Sequence, residues 1–346
     1  MNMQSPKRKY TTLKRLSLFT FITAIVIIAA IIAKNNIPNQ YLSREFSFNN
    51  AYRPPELNAS RWNILLDQHS HTNFSDGVMT PEQNVLWHIA GGFNACFITD
   101  HNKIEGAIIA QNIARTKYNN TIKVLVGEEW TTQRIHLNFL NITSTIPVPS
   151  NIPTDQEIQD AINAAHTQGG IVVVNHVPWM KERSPTFPSL DQLVAWGIDY
   201  IEVLNGDEFD LQSFEYCQNH GIGIITGTDV HNPGKIYGWT TLNVSQFTEE
   251  AILSELLARR TGIIYNFTGI DPAQISGMME NPSYTLLKPL IYLGTIFDNY
   301  VWNGDQYDWV GILVICMYLF GSFALSEFIR FAFRRWKFKL IDRTAK

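Results

Sequence analysis

Asp67-Gln68-His69-Ser70-His71-Thr72, followed by Ser75-Asp76-Gly77, decides the reading of this chain. It comes directly after an apolar run with strand composition, Trp62-Asn63-Ile64-Leu65-Leu66. Side chains alternate faces along a strand, so His69 and His71 point the same way. Two imidazoles on one face, with the Asp76 carboxylate a short turn later, make half of a metal site. A lone His-x-His is more often a hydrogen-bonded core histidine beside a surface one. The residues downstream argue against that here.

From residue 61 to about 270, short β-type runs alternate with helical patterns, which predicts an α/β domain with a parallel sheet. Thr80-Pro81-Glu82-Gln83 reads as an N-cap, a proline at the first helical position and a capping-box partner; Gly91-Gly92 stops that helix. Asp100-His101-Asn102 ends a strand at 95–99, and Gly127-Glu128-Glu129 ends one at 121–126. His136 lies on a strand predicted at 134–142. Thr154-Asp155-Gln156-Glu157 is a second capping box, and Gly169-Gly170 stops its helix. The apolar strand 171–174 ends in Asn175-His176, and the strand 223–228 runs into Asp229-Val230-His231. Further helices are predicted at 104–117, 190–196, 210–219 and 249–260, with strands at 200–204 and 262–267.

His69, His71, His101, Glu129, His176, Asp229 and His231 all fall at or just after a predicted strand end. In βα barrels that is where active sites are built. Asp229-x-His231 repeats the spacing of His69-x-His71, and closing the sheet makes the first and late strands neighbours. The pattern is that of a metal site. Imidazole and carboxylate donors without thiolate suit zinc, manganese or iron and argue against copper(I) or an iron–sulfur cluster. His88, inside a helix, and His166 and His220, near helix C-termini that favour a cation, stand apart. Asp67 and Asp100 neighbour the ligands, where they either orient them or cap strand ends.

A hydrophobic content of 45% is high for a soluble protein, and the excess sits in two segments, one near each end. Residues 16–33 are uncharged and long enough to span a bilayer, after Lys7, Arg8, Lys9, Lys14 and Arg15. An uncleaved anchor is favoured over a signal peptide, whose apolar region would be unusually long here. Residues 309–328 form a second span; Trp302, Tyr307 and Trp309 cluster at its start and Arg330, Arg334, Arg335, Lys337 and Lys339 follow. Glu327 blurs its inner end. The basic flanks predict a two-pass cell-membrane protein with residues 1–15 and 329–346 cytoplasmic and the domain at 61–270 extracytoplasmic. Residues 34–60 read as a linker and 271–308 as a connector. A net charge of −4 gives no reason to expect nucleic acid as a partner. Cys96, Cys217 and Cys316 form no C-x-x-C pair and are expected as buried thiols.

The His-x-His with Ser-Asp-Gly, Ile98-Thr99-Asp100-His101-Asn102, Gly127-Glu128-Glu129-Trp130-Thr131-Thr132, the isolated His136, Asn175-His176-Val177-Pro178 and Gly227-Thr228-Asp229-Val230-His231 together resemble the PHP (polymerase and histidinol phosphatase) family. The resemblance covers about residues 61–267 and implies a distorted (β/α)7 barrel, flanked here by transmembrane helices, with two or three divalent ions (Zn, Mn or Fe) at its mouth. It implies that His69, His71, Glu129 and Asp229 hold the first ion. Glu129 would bridge to a second, held also by His136 and His176, and Asp76, His101 and His231 would hold a third. Strand alternation puts Glu128, not Glu129, on the face of Ile122, Val124 and Val126. The family's Gly-x-Glu spacing selects Glu129, and that assignment is followed because barrel strands are buried on both faces.

The function expected is a membrane-anchored, metal-dependent phosphoesterase in which a metal-bridging hydroxide attacks the phosphorus of a small-molecule or envelope-derived ester. Asp229, His231 and His176 are the expected catalytic residues. Lys181 and Arg183, in the loop after His176, are the expected contacts to the substrate phosphate. Two alternatives stay open. One is a metal-dependent hydrolase of a carboxylic or carbamic ester or amide, which a cleft rich in aromatics and without a cationic clamp would favour. The other is a non-catalytic membrane-tethered binding module.

Overall fold

The computed structural model describes residues 6–36, 42–49, 51–55, 57, 60–280, 286–287, 289–294, 302–303, 306–307 and 309–344. In chain order the elements begin with α1 (Pro6–Asn36), β1 (Leu42–Phe48), β2 (Ile64–Asp67), α2 (Pro81–Ala90), β3 (Ala95–Ile98) and α3 (Glu105–Lys117). Next come β4 (Lys123–Thr131), β5 (His136–Leu140), α4 (Asp155–Thr167), β6 (Ile171–Val174), α5 (Val177–Arg183) and α6 (Leu190–Ala195). They continue with β7 (Tyr200–Asn205), β8 (Glu208–Phe209), α7 (Leu211–His220), β9 (Gly223–Gly227), β10 (Ile236–Leu242), α8 (Glu249–Leu257), β11 (Gly262–Ile270) and β12 (Ala273–Glu280). A small hairpin, β13 (Trp302–Asn303) and β14 (Gln306–Tyr307), precedes α9 (Trp309–Thr344). The chain divides into two units, Met1–Ile37 with Tyr284–Lys346, and Pro38–Ser283.

In the first unit, Arg15 pairs with Glu327 at 3.0 Å and the Phe19 and Phe323 rings lie 5.4 Å apart. Each step up α1 is matched by a step down α9, so the two helices are antiparallel. Glu327, awkward in a span, has its charge answered by Arg15. Each helix holds a stretch long and apolar enough to cross a membrane, Thr11–Ala33 and Gly311–Phe333. Cys316 is exposed on α9, contrary to expectation, because it sits on an apolar helix whose surface is largely uncovered; Cys96 and Cys217 are buried free thiols.

In the second unit, one sheet runs β11-β10-β2-β3-β4-β5-β6-β7-β8, with β9 also paired to β7. The pairs β2–β3, β3–β4, β6–β7 and β7–β9 are parallel, as expected. Strand β5 is antiparallel to both neighbours, and β10, which the sequence pattern did not reveal, is antiparallel to β2 and β11. The sheet is therefore mixed rather than wholly parallel. Only residues 132–135 separate β4 from β5, too few for the crossover that parallel neighbours need. The stretches read as linker and connector contain β1 and β12, which pair antiparallel with each other.

The three helix starts with reciprocal capping boxes, at Thr80/Gln83, Thr154/Glu157 and Ser189/Gln192, each contribute about 1 kcal/mol. Alternate residues of the strands form an interior cluster that includes Ile64, Leu66, Ala95, Phe97, Leu125 and Val173. The intervening Cys96, Ile98, Ile122 and Val124 pack on the other face with Val85, Ala107 and Ala110 of the helices. The sheet curls until its ends meet. Asp229 N donates to His69 O at 2.9 Å, His71 N to Val230 O at 3.1 Å, and Thr226 N to Thr240 Oγ1 at 2.8 Å. The arrangement is an α/β sheet consistent with the expected barrel.

Candidate metal centre

All nine predicted donors arrive at one rim of this sheet. Residues 68–71 leave β2 extended, which brings the His69 and His71 rings to one side, 5.1 Å apart. His101 follows β3. Glu129 lies within β4 rather than past its end, because β4 runs on to Thr131 in its ladder with β5. His136 opens β5, and since β5 is antiparallel, its start lies where its neighbours finish. His176 and Asp229 follow β6 and β9 with φ of 27° and 52°. Non-glycine residues held there cost about 1–3 kcal/mol each, a strain typical of functional sites. The Glu128/Glu129 conflict also resolves. Glu128 shares the face of Val124 that packs on helices, and accepts from Ile146 N at 2.7 Å, while Glu129 faces the imidazoles.

Glu129 is the hub. Its Oε1 lies 3.1 Å from His176 Nε2, 3.0 Å from His136 Nδ1 and 3.6 Å from His69 Nε2. Its Oε2 lies 2.7 Å from His101 Nδ1 and 3.6 Å from His71 Nε2. Asp229 Oδ1 is 3.3 Å from His69 Nε2, 3.1 Å from His71 Nε2 and 3.6 Å from His231 Nδ1. Asp76 Oδ2 is 3.4 Å from His101 Nε2 and 3.2 Å from His231 Nε2. Three groups have donor atoms within 4.8 Å of one another: His69, His71 and Asp229; His69, Glu129 and His176; and His71, Asp76, His101 and His231.

Despite these short approaches, the buried atoms His69 Nε2, His71 Nε2 and Glu129 Oε2 make no hydrogen bond of good geometry. Leaving such atoms unsatisfied costs about 1–3 kcal/mol each. They face one another, and a divalent cation accepting nitrogen and oxygen donors would satisfy all three, so the residues fit the ions the family implies. Electrostatics point the same way. Burial alone would depress His69, but Asp229, Glu202 and Glu129 outweigh it and hold it well above the usual histidine range. His101, also opposed by burial, is pushed up to about 10 by Glu129 and Asp76. His176 and His231 rise for similar reasons. Burial wins at His71 and His136, which are lowered. Despite burial, the neighbouring imidazoles hold Asp76, Glu129 and Asp229 below the carboxylate range. Protons thus collect on His69, His101, His176 and His231 around the carboxylates, in place of the charge a metal ion would supply.

A layer of polar side chains supports the donors. The most important, Glu202 of β7, escaped the sequence reading. It meets His69 Nδ1 at 3.0 Å and accepts from Gln68 Nε2 at 2.7 Å, His176 N at 2.8 Å and Asn205 Nδ2 at 3.0 Å. A lone acid in the apolar run Tyr200-Ile201-Glu202-Val203-Leu204 was the available signal. Asp100 accepts from Thr72 N, Thr72 Oγ1 and Ser75 Oγ at 2.6–2.7 Å, and so anchors the loop that carries Asp76. Asp67 accepts from His69 N and Thr228 N and meets His88 Nε2 at 3.0 Å, which gives His88 a structural partner away from the donors. His166 bonds to Asp199 and His220 to Tyr216 O, both outside the site.

The rim encloses a cleft of about 340 Å³ lined by Asp76, His101, Glu129, His136, His176, Trp179, Asn205, Glu208, Asp229 and His231. No Lys or Arg lines it among the described residues. Lys181 and Arg183 lie on α5 rather than in a loop, both exposed. Neither side chain is among the residues that line the cleft, and the Arg183 guanidinium stacks 4.3 Å over the Trp179 ring. Trp179 was not anticipated.

A crystal structure of a two-domain protein from Bacteroides vulgatus, containing a predicted PHP-like metal-dependent phosphoesterase, is similar with a TM-score of 0.53 at 20% identity, over 64% of this chain and 69% of that one. A candidate metal-dependent phosphoesterase from Bifidobacterium adolescentis aligns with a TM-score of 0.39 at 19% identity, over 56% of this chain and 96% of that one. An amidohydrolase from Chromobacterium violaceum, with bound sulfate and no metal, aligns with a TM-score of 0.38 at 18% identity, over 58% and 97%. No curated protein matches the chain. The family model for the PHP domain matches residues 67–242, from the strand end before His69 to the end of β10. That match takes in more than half of the sequence and all nine donors, and the chain belongs to the PHP domain family.

Proposed function

We propose that this chain is a metal-dependent phosphoesterase held in a membrane by α1 and α9, acting on a small-molecule or envelope-derived phosphate ester. The observation that carries the reading is the packing of three adjoining donor groups around Glu129, whose two carboxylate oxygens lie among five imidazoles. Cations held by such adjoining groups would lie close enough to act on one substrate. Divalent zinc, manganese or iron held there supplies Lewis acidity, a more acidic water and charge neutralisation for the phosphoryl oxygens.

The chain's own residues do the rest. Glu129, His136 and His176 hold one side of the centre, His69, His71 and Asp229 the middle, and Asp76, His101 and His231 the side nearest solvent. Asp229 Oδ1, facing three imidazoles, takes the proton from attacking water. His231 and His176 line the cleft, and we assign to them the proton that a departing oxygen needs. Glu202 keeps the His69 ring and the His176 backbone fixed while this happens.

One observation favours a second reading, hydrolysis of a carboxylic or carbamic ester or amide: no cationic side chain lines the cleft among the described residues. A substrate panel on the full-length protein in detergent, with added manganese, zinc or iron, separates the two. Turnover of phosphate mono- or diesters supports the first. Turnover of carboxylic or carbamic esters alone replaces it with the second.

The membrane proposal rests on the antiparallel pairing of α1 and α9, which puts both basic ends on the same side, and on their exposed apolar faces, including Leu18, Phe21, Leu313 and Phe320. The domain would then lie on the extracytoplasmic side. Protease added outside spheroplasts should digest the domain and spare a tag placed after Lys346. Digestion of the tag with the domain intact would reverse the orientation.

A further inference from the structure

We propose that Trp179, braced by Arg183, is the specificity-determining wall of the cleft and selects esters whose organic group is flat and aromatic. This deepens the phosphoesterase reading and rests on it. Trp179 follows His176 by three positions and its helix therefore returns it to the same side. Its ring centroid lies 5.0 Å from that of His176 and 5.5 Å from that of His136. The indole touches the imidazoles of the centre itself, yet is 38% exposed. Large aromatic side chains left at the mouth of a pocket are disposed to cover something.

The bracing comes from within the helix. Arg183, four positions on, lays its guanidinium 4.3 Å from the Trp179 ring centroid, a cation–π contact on one face. A ring gripped in this way loses little freedom when a ligand packs on it. The rest of the lining gives an apolar group nothing comparable, since Asp76, Asn205, Glu208 and Asp229 are polar or charged. At about 340 Å³, the cleft has the capacity of a small-molecule pocket and exceeds what a phosphoryl group alone occupies. With no Lys or Arg in the described lining, affinity beyond the ions must come from the organic portion, and Trp179 is the one large apolar side chain in that described lining.

Calorimetric titration of the full-length, manganese-loaded protein in detergent with phenylphosphonate and methylphosphonate tests this without turnover. The wild type should bind the phenyl compound roughly tenfold more tightly. Trp179→Ala should bring the ratio near one, Trp179→Phe should restore most of it, and Arg183→Ala should lower it about threefold. Manganese content, measured in each variant, should stay at the wild-type level. Should alanine disturb it, Trp179→Leu serves, as it keeps bulk without a π face, and should lose the preference. Equal affinities in the wild type, or a phenyl preference that survives in Trp179→Ala or Trp179→Leu, overturn the inference and leave the phosphoesterase reading intact. Failure of both phosphonates to bind the loaded protein overturns that reading and the inference with it.

Discussion

Glu202 Oε1 lies 3.0 Å from His69 Nδ1, on the side of the imidazole away from Glu129 and Asp229. Glu202 accepts a hydrogen bond from Nδ1 and leaves Nε2 as the ring nitrogen aimed at the centre. Glu202→Gln should keep the fold, because the amide retains an acceptor for the His176 and Asn205 donors. It should weaken metal binding by about 10–100-fold, read by competition with a chromogenic chelator. Unchanged affinity would show that His69 is oriented by packing alone.

Gly227, at the end of β9, allows the same pair to approach. A Cβ there would stand 2.6 Å from His69 Cβ and would collide with Glu202 Oε1. Gly227→Ala should cost about 1–3 kcal/mol in thermal unfolding and lower metal affinity as well. A loss of stability with metal affinity untouched would place the strain elsewhere.

The unsatisfied atoms of His69, His71 and Glu129 should make the metal-free protein less stable than a metal-loaded one. Adding metal at about a hundred times its Kd should raise stability by about 2.7 kcal/mol, and EDTA should reverse it. Calorimetric melting with and without chelator checks this; identical transitions would mean the donors do not take up the ion.

Glu128 supplies a pH dependence of its own. Burial pushes its carboxyl up to about 7. Between the ordinary glutamate range and that value, the folded protein holds a proton that the unfolded chain has released. Stability therefore falls as pH rises through this window and levels off above it. Glu128→Gln keeps the bond from Ile146 N and removes the ionisation. The variant should match wild type near pH 4 and exceed it by up to about 3 kcal/mol at pH 8, measured by urea unfolding at both. Equal pH slopes would count against the raised carboxyl.

Much of this could be seen in the residues alone. Period-two alternation and the capping boxes located most helices and parallel strands, and strand-end position singled out seven of the nine donors. What escaped was set by pairing partners, which local patterns do not encode. The reversal of β5 depends on the short turn at residues 132–135, and β10 carries a glycine within its run. Glu202 matters through a neighbour far away in the chain, His69, and Trp179 joins the site through the distant His136 as well as the nearby His176. Lys181 and Arg183 looked free because nothing in Met180-Lys181-Glu182-Arg183 announces that α5 continues to its last arginine.

The bonds from Asp229 N to His69 O and from His71 N to Val230 O close the gap between the first and last parallel strands. Both donor pairs are thus also the clasp of the curled sheet. Whatever draws the side chains together tightens that clasp, and whatever strips the ions away loosens it. Deuterium uptake at the amides of His71 and Asp229 should consequently rise before the rest of the sheet responds, which makes the fastening of the fold an internal gauge of metal occupancy.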